Sequence, residues 1–242
     1  VGYAQGMNQL AALLLKLGFQ GDVAFWMLAA VFDDWIPDCH SPSLSGLFRD
    51  TAATEVLLRA LLPRHAEVFS ASGLDLLLVT ADFFLTLGVE NAPLALAARL
   101  WDVYFLHGPR GLFAGLLAQL ELFLPVPVPP DARGAGTDGA VPADFDAVGL
   151  LTLYRDAGFL ARGRDAAAVV SRAMDMLHED QRGGIPEHLV AELRTSLESP
   201  SLREATCGTP LAGSASRAKP LMQEELEVSP AKPLEQEELE VC

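Results

Sequence analysis

VGYAQGMNQLAALLL, residues 1–15, sets a short polar turn against the start of an apolar helix. Leu10, Leu13, Leu14 and Leu17 recur at helical spacing, and Gly18 stands where that helix can stop. Ahead of them Gln5 lies between Tyr3 and Gly6, with a second glycine at position 2. Its neutral amide has a donor end and an acceptor end. Glycine, lacking Cβ, lets another backbone come close. The residues alone leave two readings of Gln5 open: a turn residue ahead of a helix, or an amide presented to a partner.

The same periodicity continues to about residue 124. A helix is expected over 23–35, with Asp22 as its N-cap and Pro37 just beyond its end. SPSLSG (41–46) reads as a loop. The next helix is expected over 50–62, burying Val56, Leu57, Ala60 and Leu61. Pro63 suits the first turn of a short helix that Gly73 closes. Helices follow at 75–87, 93–107 and 109–124, with prolines 93 and 109 at two starts and glycines 88 and 108 at the stops before them. No alternating strand pattern occurs, so the fold class is all-α.

PVPVPPDARGAGTDGAVPAD (125–144) holds neither a helix nor a packed strand and reads as a linker or long loop. Helices resume at 145–157, 165–182 and 186–197 and are expected to pack on the 1–124 body. Residues 198–242 form an acidic tail in which AKPLMQEELEV (218–228) recurs as AKPLEQEELEV (231–241). With few apolar residues to offset ordering entropy, this tail is expected to be disordered. A repeat expansion accounts for the duplication more simply than a docking peptide does.

A chain of 242 residues that is 50% hydrophobic can bury a large core, and its Leu- and Ala-rich content favours helix. A net charge of −15 argues against nucleic acid or an anionic membrane as the main partner. Cys39, Cys207 and Cys242 show neither zinc spacing nor a disulfide framework, which favours a reducing, intracellular setting. Asp82, Arg99 and Asp102 interrupt the longest apolar runs, leaving none of the ~20 residues that a membrane span needs. The chain begins at Val1 in mid-pattern and is expected to be part of a longer protein.

Four other groups carry weaker signals. Asp33, Asp34 and Asp38 in FDDWIPD suggest a magnesium-binding carboxylate cluster of a helical lyase. A second metal motif is missing, and Pro37 breaks the helix that would present the third carboxylate, so a solvated helix end is expected. Cys39 and His40 are sequence neighbours whose side chains point apart on extended backbone, and no orienting partner completes a nucleophile–base pair. The remaining histidines, at 65, 107, 178 and 188, lack metal spacing and are expected in loops or at the surface. RLWD (99–102) places Arg99 and Asp102 three apart, where an i,i+3 ion pair is expected on a helix whose other face is core.

Taken with its surroundings, the opening stretch resembles the TBC domain family of Rab GTPase-activating proteins. Tyr3, Gln5, Gly6, Met7 and Asn8 match the family's YxQGMN motif, with Ala4 where cysteine is frequent. AFWMLAAVFDDWIPDCHSPSLSGL (24–47) is similar to the next helix and loop of the family, and DFFLTLGVENAPLALAARLWDVYFLHG (82–108) to its FLTLF…RIWDxxxxEG stretch. His107 replaces the usual acidic residue there. The resemblance covers roughly 1–125 and implies the C-terminal part of a multi-helix domain. It implies that Gln5 orients the hydrolytic water in a partner's active site, that Tyr3, Gly6 and Asn8 contact that partner, and that Arg99, Trp101 and Asp102 form a structural motif. The partner is a Rab-family GTPase in its GTP-bound state, which carries the GTP and magnesium; this chain needs no cofactor of its own and is no self-contained enzyme. The arginine of the family's site lies in an IxxDxxR motif upstream of the glutamine motif. The resemblance further implies vesicle trafficking, in the cytoplasm and peripheral to endomembranes. A TBC-like scaffold that binds a GTPase without accelerating hydrolysis is the alternative.

Overall fold

Pro37, which has no N–H to return to a helix, ends a helical run that begins at Gly21. In the computed structural model the last turn of that run widens into a π-turn, Val31–Trp35, closed by Ile36 N–H donating to Val31 O at 3.1 Å. The structure describes residues 3–90, 92–124, 146–160, 166–178 and 184–198, and of 157–160 the backbone alone. The expected linker at 125–144 and the tail beyond residue 198 lie outside the described residues.

Among the described residues there are nine α-helices and no strand. They are α1 (Met7–Lys16), α2 (Gly21–Ala30), α3 (Ser45–Leu61), α4 (Pro63–Ser72), α5 (Leu76–Thr86), α6 (Leu94–Phe123), α7 (Ala147–Leu160), α8 (Ala166–Leu177) and α9 (Leu189–Leu197). α6 is broken at Gly108, whose φ of 56° and ψ of −141° are not helical, and Pro109 starts the second half. Every residue from Gly111 to Leu120 in that second half is buried. Such all-round burial makes it the spine of the core. α8 packs along α6, α3 contacts α4, α5 and α9, and α1 contacts α2 and α5. Leu150, Tyr154, Val169, Met176, Ile185 and Val190 join the same hydrophobic core as residues of α1–α6.

Several local expectations are corrected. α3 starts at Ser45, so Asp50 sits inside the helix and not at its head. Its buried face is Ala53, Thr54, Leu57 and Leu58, with Val56 and Ala60 exposed; one step in helical phase separates the two readings. Leu17 is exposed at the end of α1. Gln20 takes the N-cap position of α2, with Asp22 in the first turn. His40 and His65 are buried, because each imidazole satisfies a main-chain carbonyl: Nε2 of His40 donates to Leu85 O at 3.1 Å, and Nε2 of His65 to Leu124 O at 3.0 Å. The Arg99–Asp102 ion pair is not formed. Both side chains are exposed, where water competes for them, while Trp101 is buried against Trp35 and Phe105.

The strongest polar feature of the core is Asp50, which has no exposed surface. Arg194 of α9 forks onto it, with Nε to Oδ1 at 2.9 Å and a terminal nitrogen to Oδ2 at 2.6 Å. Arg49 adds Nε to Oδ1 at 3.0 Å. The guanidinium groups also cap the π-turn: the same terminal nitrogen of Arg194 donates to Trp35 O at 2.7 Å, and a terminal nitrogen of Arg49 to Pro37 O at 3.1 Å. Arg49 also reaches Glu198 at 2.7 Å. One carboxylate thereby orders two arginines, and these satisfy carbonyls that the widened helix end leaves without intrahelical partners.

Removing one partner of a buried ion pair leaves an uncompensated charge, at a cost of about 3–5 kcal/mol. Asp50→Ala is therefore expected to lower the unfolding free energy by about 3–5 kcal/mol in urea denaturation. Glu55→Ala, which breaks an exposed pair with Arg59, is expected to change it by under ~1 kcal/mol. Equal small effects would contradict the clamp. Burial lowers the pKa of both His40 and His65 below the ordinary 6.5, against the opposing pull of their carbonyl partners. The unfolded chain then binds more protons than the folded one as pH falls through 6.5, so stability is expected to be flat above that pH and to drop below it. His65→Gln should flatten the slope below pH 6.5 in pH-dependent denaturation.

Candidate functional site

The glutamine turn is built by Gly6. Its φ of 98° and ψ of −31° lie where side-chain-bearing residues are strained, and its carbonyl starts α1 by accepting from Gln9 N at 3.0 Å and Leu10 N at 3.3 Å. A Cβ at this position would collide with Leu85 O at the end of α5. The close backbone approach expected between Gly6 and a partner is thus used inside the chain, where it seats the head of α1 on α5. Leu85 O, in turn, is the carbonyl held by His40. Met7 N donates to Ala4 O at 3.3 Å, closing a turn over Ala4–Met7 that contains Gln5.

This seating puts Gln5 at the surface, one residue before the first turn of a ten-residue helix. Tyr3 is 74% exposed and Asn8 is exposed beside it. Tyr3 and Asn8 border one groove of about 670 Å³ between α1, α2 and the loop after the π-turn. The structure brings these two together next to the turn that carries Gln5. It does not bring Arg99, Trp101 or Asp102 there: none of them lines the groove, and Trp101 belongs to the core.

No arginine among the described residues lines the groove. Arg49 is buried on Asp50. Arg110 donates to the carbonyls of Ile185 and Leu177 at 2.6 and 2.5 Å. Asp33 and Asp34 are exposed on the π-turn, and no group of three or more His, Cys, Asp or Glu side chains placed to hold a metal ion occurs among the described residues. Cys39 and His40 face different partners, the thiol 3.8 Å from Asp50 and the imidazole on Leu85 O. Burial and the Asp50 carboxylate push the Cys39 thiol far up, so it stays protonated. No single helix among the described residues is long and apolar enough to cross a membrane.

Sequence reasoning missed the hold of His40 on Leu85 O and the Asp50 clamp. Asp50 carries the one local signal, an aspartate beside an arginine within a helical stretch, but its partner Arg194 is 144 residues away.

Residues 1–126 match the model of the Rab-GTPase-TBC domain. The chain is 30% identical over 123 residues to growth hormone-regulated TBC protein 1 of Xenopus laevis, covering 51% of this chain and 36% of that one. It is 34% identical over 123 residues to human small G protein signaling modulator 3, covering 50% of this chain and 16% of that one. The chain thus spans well under half the length of either relative. A crystal structure of the Chlamydomonas flagellar RabGAP TBC domain superimposes with a TM-score of 0.55 at 27% identity, covering 72% of this chain and 52% of that one. The shared all-helical fold and a domain match over more than half of its length place this chain in the Rab-GTPase-TBC domain family.

Proposed function

We propose that this chain forms the glutamine-bearing part of a GTPase-activating site that acts on a Rab-family GTPase. The observation that carries the reading is the exposed Gln5, held on a turn that Gly6 fixes against α5. Rab-type GTPases hydrolyse GTP slowly because an attacking water is poorly oriented and charge on the transferred phosphoryl is poorly compensated. An amide on a fixed turn accepts from that water at its oxygen and donates at its nitrogen, with little reorganisation at the moment of reaction. Tyr3 and Asn8 flank the turn and serve as contacts to the partner. The GTPase brings GTP and magnesium; this chain brings orientation. An arginine upstream of Val1 compensates the charge. The setting is regulation of vesicle trafficking in the cytoplasm, at endomembranes reached through the GTPase.

That no arginine among the described residues lines the groove favours a second reading, a scaffold that binds the GTPase without accelerating it. One assay separates the two: single-turnover GTP hydrolysis across a panel of Rab GTPases, with the full-length protein, its Gln5→Ala variant and the 242-residue chain. The full-length protein is expected to accelerate at least one member, and Gln5→Ala to lower that acceleration by ~10²-fold or more, the scale of losing one preorganised group at a transition state. The melting temperature should barely move, since an exposed polar side chain contributes little to stability. The 242-residue chain should give almost no stimulation, because an arginine finger contributes ~10³–10⁵ in rate. Wild-type rates in the Gln5→Ala variant would reduce Gln5 to a turn residue. Binding of GTP-loaded Rab without acceleration by the full-length protein would establish the scaffold.

A further inference from the structure

Leu85 O is met by two residues from distant parts of the chain. Gly6 lies against it with no room for a Cβ, and His40 donates to it from Nε2 at 3.1 Å. Leu85 is next to last in α5, where carbonyls lose their intrahelical donors. Val89 N–H, which a continued helix would give to Leu85 O, goes to Thr86 O at 3.0 Å instead. The imidazole supplies the missing donor, and since a carbonyl only accepts, the ring carries a proton on Nε2. His40 is itself held. It is buried, and its ring packs edge-on against Phe32 at 5.0 Å. In the loop that carries it, Cys39 N–H donates to Ile36 O at 3.1 Å, and Ser41 and Gly46 N–H both donate to Asp38 O at 3.2 Å. Arg49 of the Asp50 clamp holds the loop at Pro37 O.

We infer that His40 is a positioning residue for Gln5. It fixes the direction of Leu85 O, Gly6 packs against that oxygen, and Gly6 ends the segment that presents Gln5. A role in rate, as distinct from turn geometry, rests on the function proposed above. Loss of the imidazole leaves Leu85 O without its donor, a cost that the Leu85–Thr86 peptide group relieves by turning toward another. The surface on which Gly6 sits moves with it. An amide that has to meet a water at a transition state is sensitive to such a shift, because a misplacement of ~1 Å costs ~10²-fold in rate. Binding of a partner over a whole face is far less sensitive. The effect of His40 therefore falls on the rate at saturation and not on affinity.

A double-mutant cycle tests this in single-turnover GTP hydrolysis, with the full-length protein acting on a Rab GTPase that it accelerates. His40→Phe keeps a ring against Phe32 and removes the donor; His40→Gln places an amide N–H near the position of Nε2. His40→Phe is expected to lower the acceleration at saturating protein about tenfold while the half-saturating concentration stays within about twofold, and His40→Gln to restore most of the rate. In a Gln5→Ala background His40→Phe is expected to change the remaining rate by less than about twofold, since the group it positions is gone. Equal losses in the two backgrounds overturn the inference. So does a loss confined to the half-saturating concentration, or a His40→Gln variant as slow as His40→Phe. Should His40→Phe not fold, His40→Asn, whose amide falls short of Leu85 O, replaces it in the cycle.

A second arm needs no GTPase. Amide hydrogen exchange of the 242-residue chain is compared in wild type, His40→Phe and His40→Gln. Gln9 and Leu10 N–H donate to Gly6 O, and Met7 N–H to Ala4 O, so these three amides report the seating of the turn. His40→Phe is expected to speed their exchange about tenfold with the amides of α8 unchanged, and His40→Gln to return them toward wild type. Equal acceleration in α8 would mark a general loss of stability and overturn the inference, as would unchanged exchange in all three. If the three amides respond as expected while Gln5→Ala keeps wild-type acceleration, or the full-length protein accelerates no GTPase, His40 still positions the turn and the proposed function falls.

Discussion

Taking a carboxylate and two guanidinium groups out of water is costly, and only close mutual pairing makes it tolerable. The Asp50–Arg194–Arg49 cluster meets that condition and does so at the junction of three separate parts of the chain. Arg194 comes from α9, Asp50 and Arg49 from α3, and the carbonyls they cap from the end of the π-turn. Hydrophobic burial drives these helices together without choosing their register. The forked contact of Arg194 is directional and does choose it. The register of α9 on α3, and the path of the chain from Trp35 through Pro37, follow from this one buried group. That path forms a wall of the groove beside the glutamine turn.

A second constraint acts on a smaller scale. Position 6 must adopt a positive φ and must also lack a side chain, because the end of α5 occupies the space where a Cβ would be. Either demand alone favours glycine; together they require it. The result is a turn fixed at Gly6, which heads α1 and packs against the Leu85 carbonyl. A side chain that has to meet an atom in another molecule benefits from such fixing, since each freedom removed beforehand need not be removed on binding. Gln5 is exposed on this turn, which is consistent with a role outside the chain.

Much of the fold was legible because helical periodicity, proline starts and glycine stops agree along the chain. Pro63, Gly73, Gly108 and Pro109 all mark boundaries in the structure. Leu10, Leu13 and Leu14 form the buried face that their spacing indicates. Phase within a helix was harder. In VLLRAL, which residues face inward depends on a helix start that nothing in SPSLSG announces, and the reading slipped by one position. Long-range polar pairs were not legible at all. Asp50 resembles a helix cap to any local rule, and Arg194 resembles a surface arginine. Their pairing exists only after the chain has closed a loop of more than a hundred residues. At the candidate site, the exposure of Gln5 could be anticipated from its motif. The use of Gly6 inside the chain could not, because the residue it accommodates, Leu85, belongs to a different helix.

The central claim is that Gln5 supplies, in trans, the amide that orients the attacking water. A partner GTPase whose own water-orienting glutamine has been replaced by alanine tests this most directly, because it removes the competing source of that function. Single-turnover GTP hydrolysis by this altered GTPase would be measured with the full-length protein carrying Gln5 and with its Gln5→Ala variant. The account predicts that the protein with Gln5 still accelerates hydrolysis and that the variant does not. Loss of acceleration with Gln5 intact, while the altered GTPase still binds, would show that the partner's own glutamine does the work and would contradict the account.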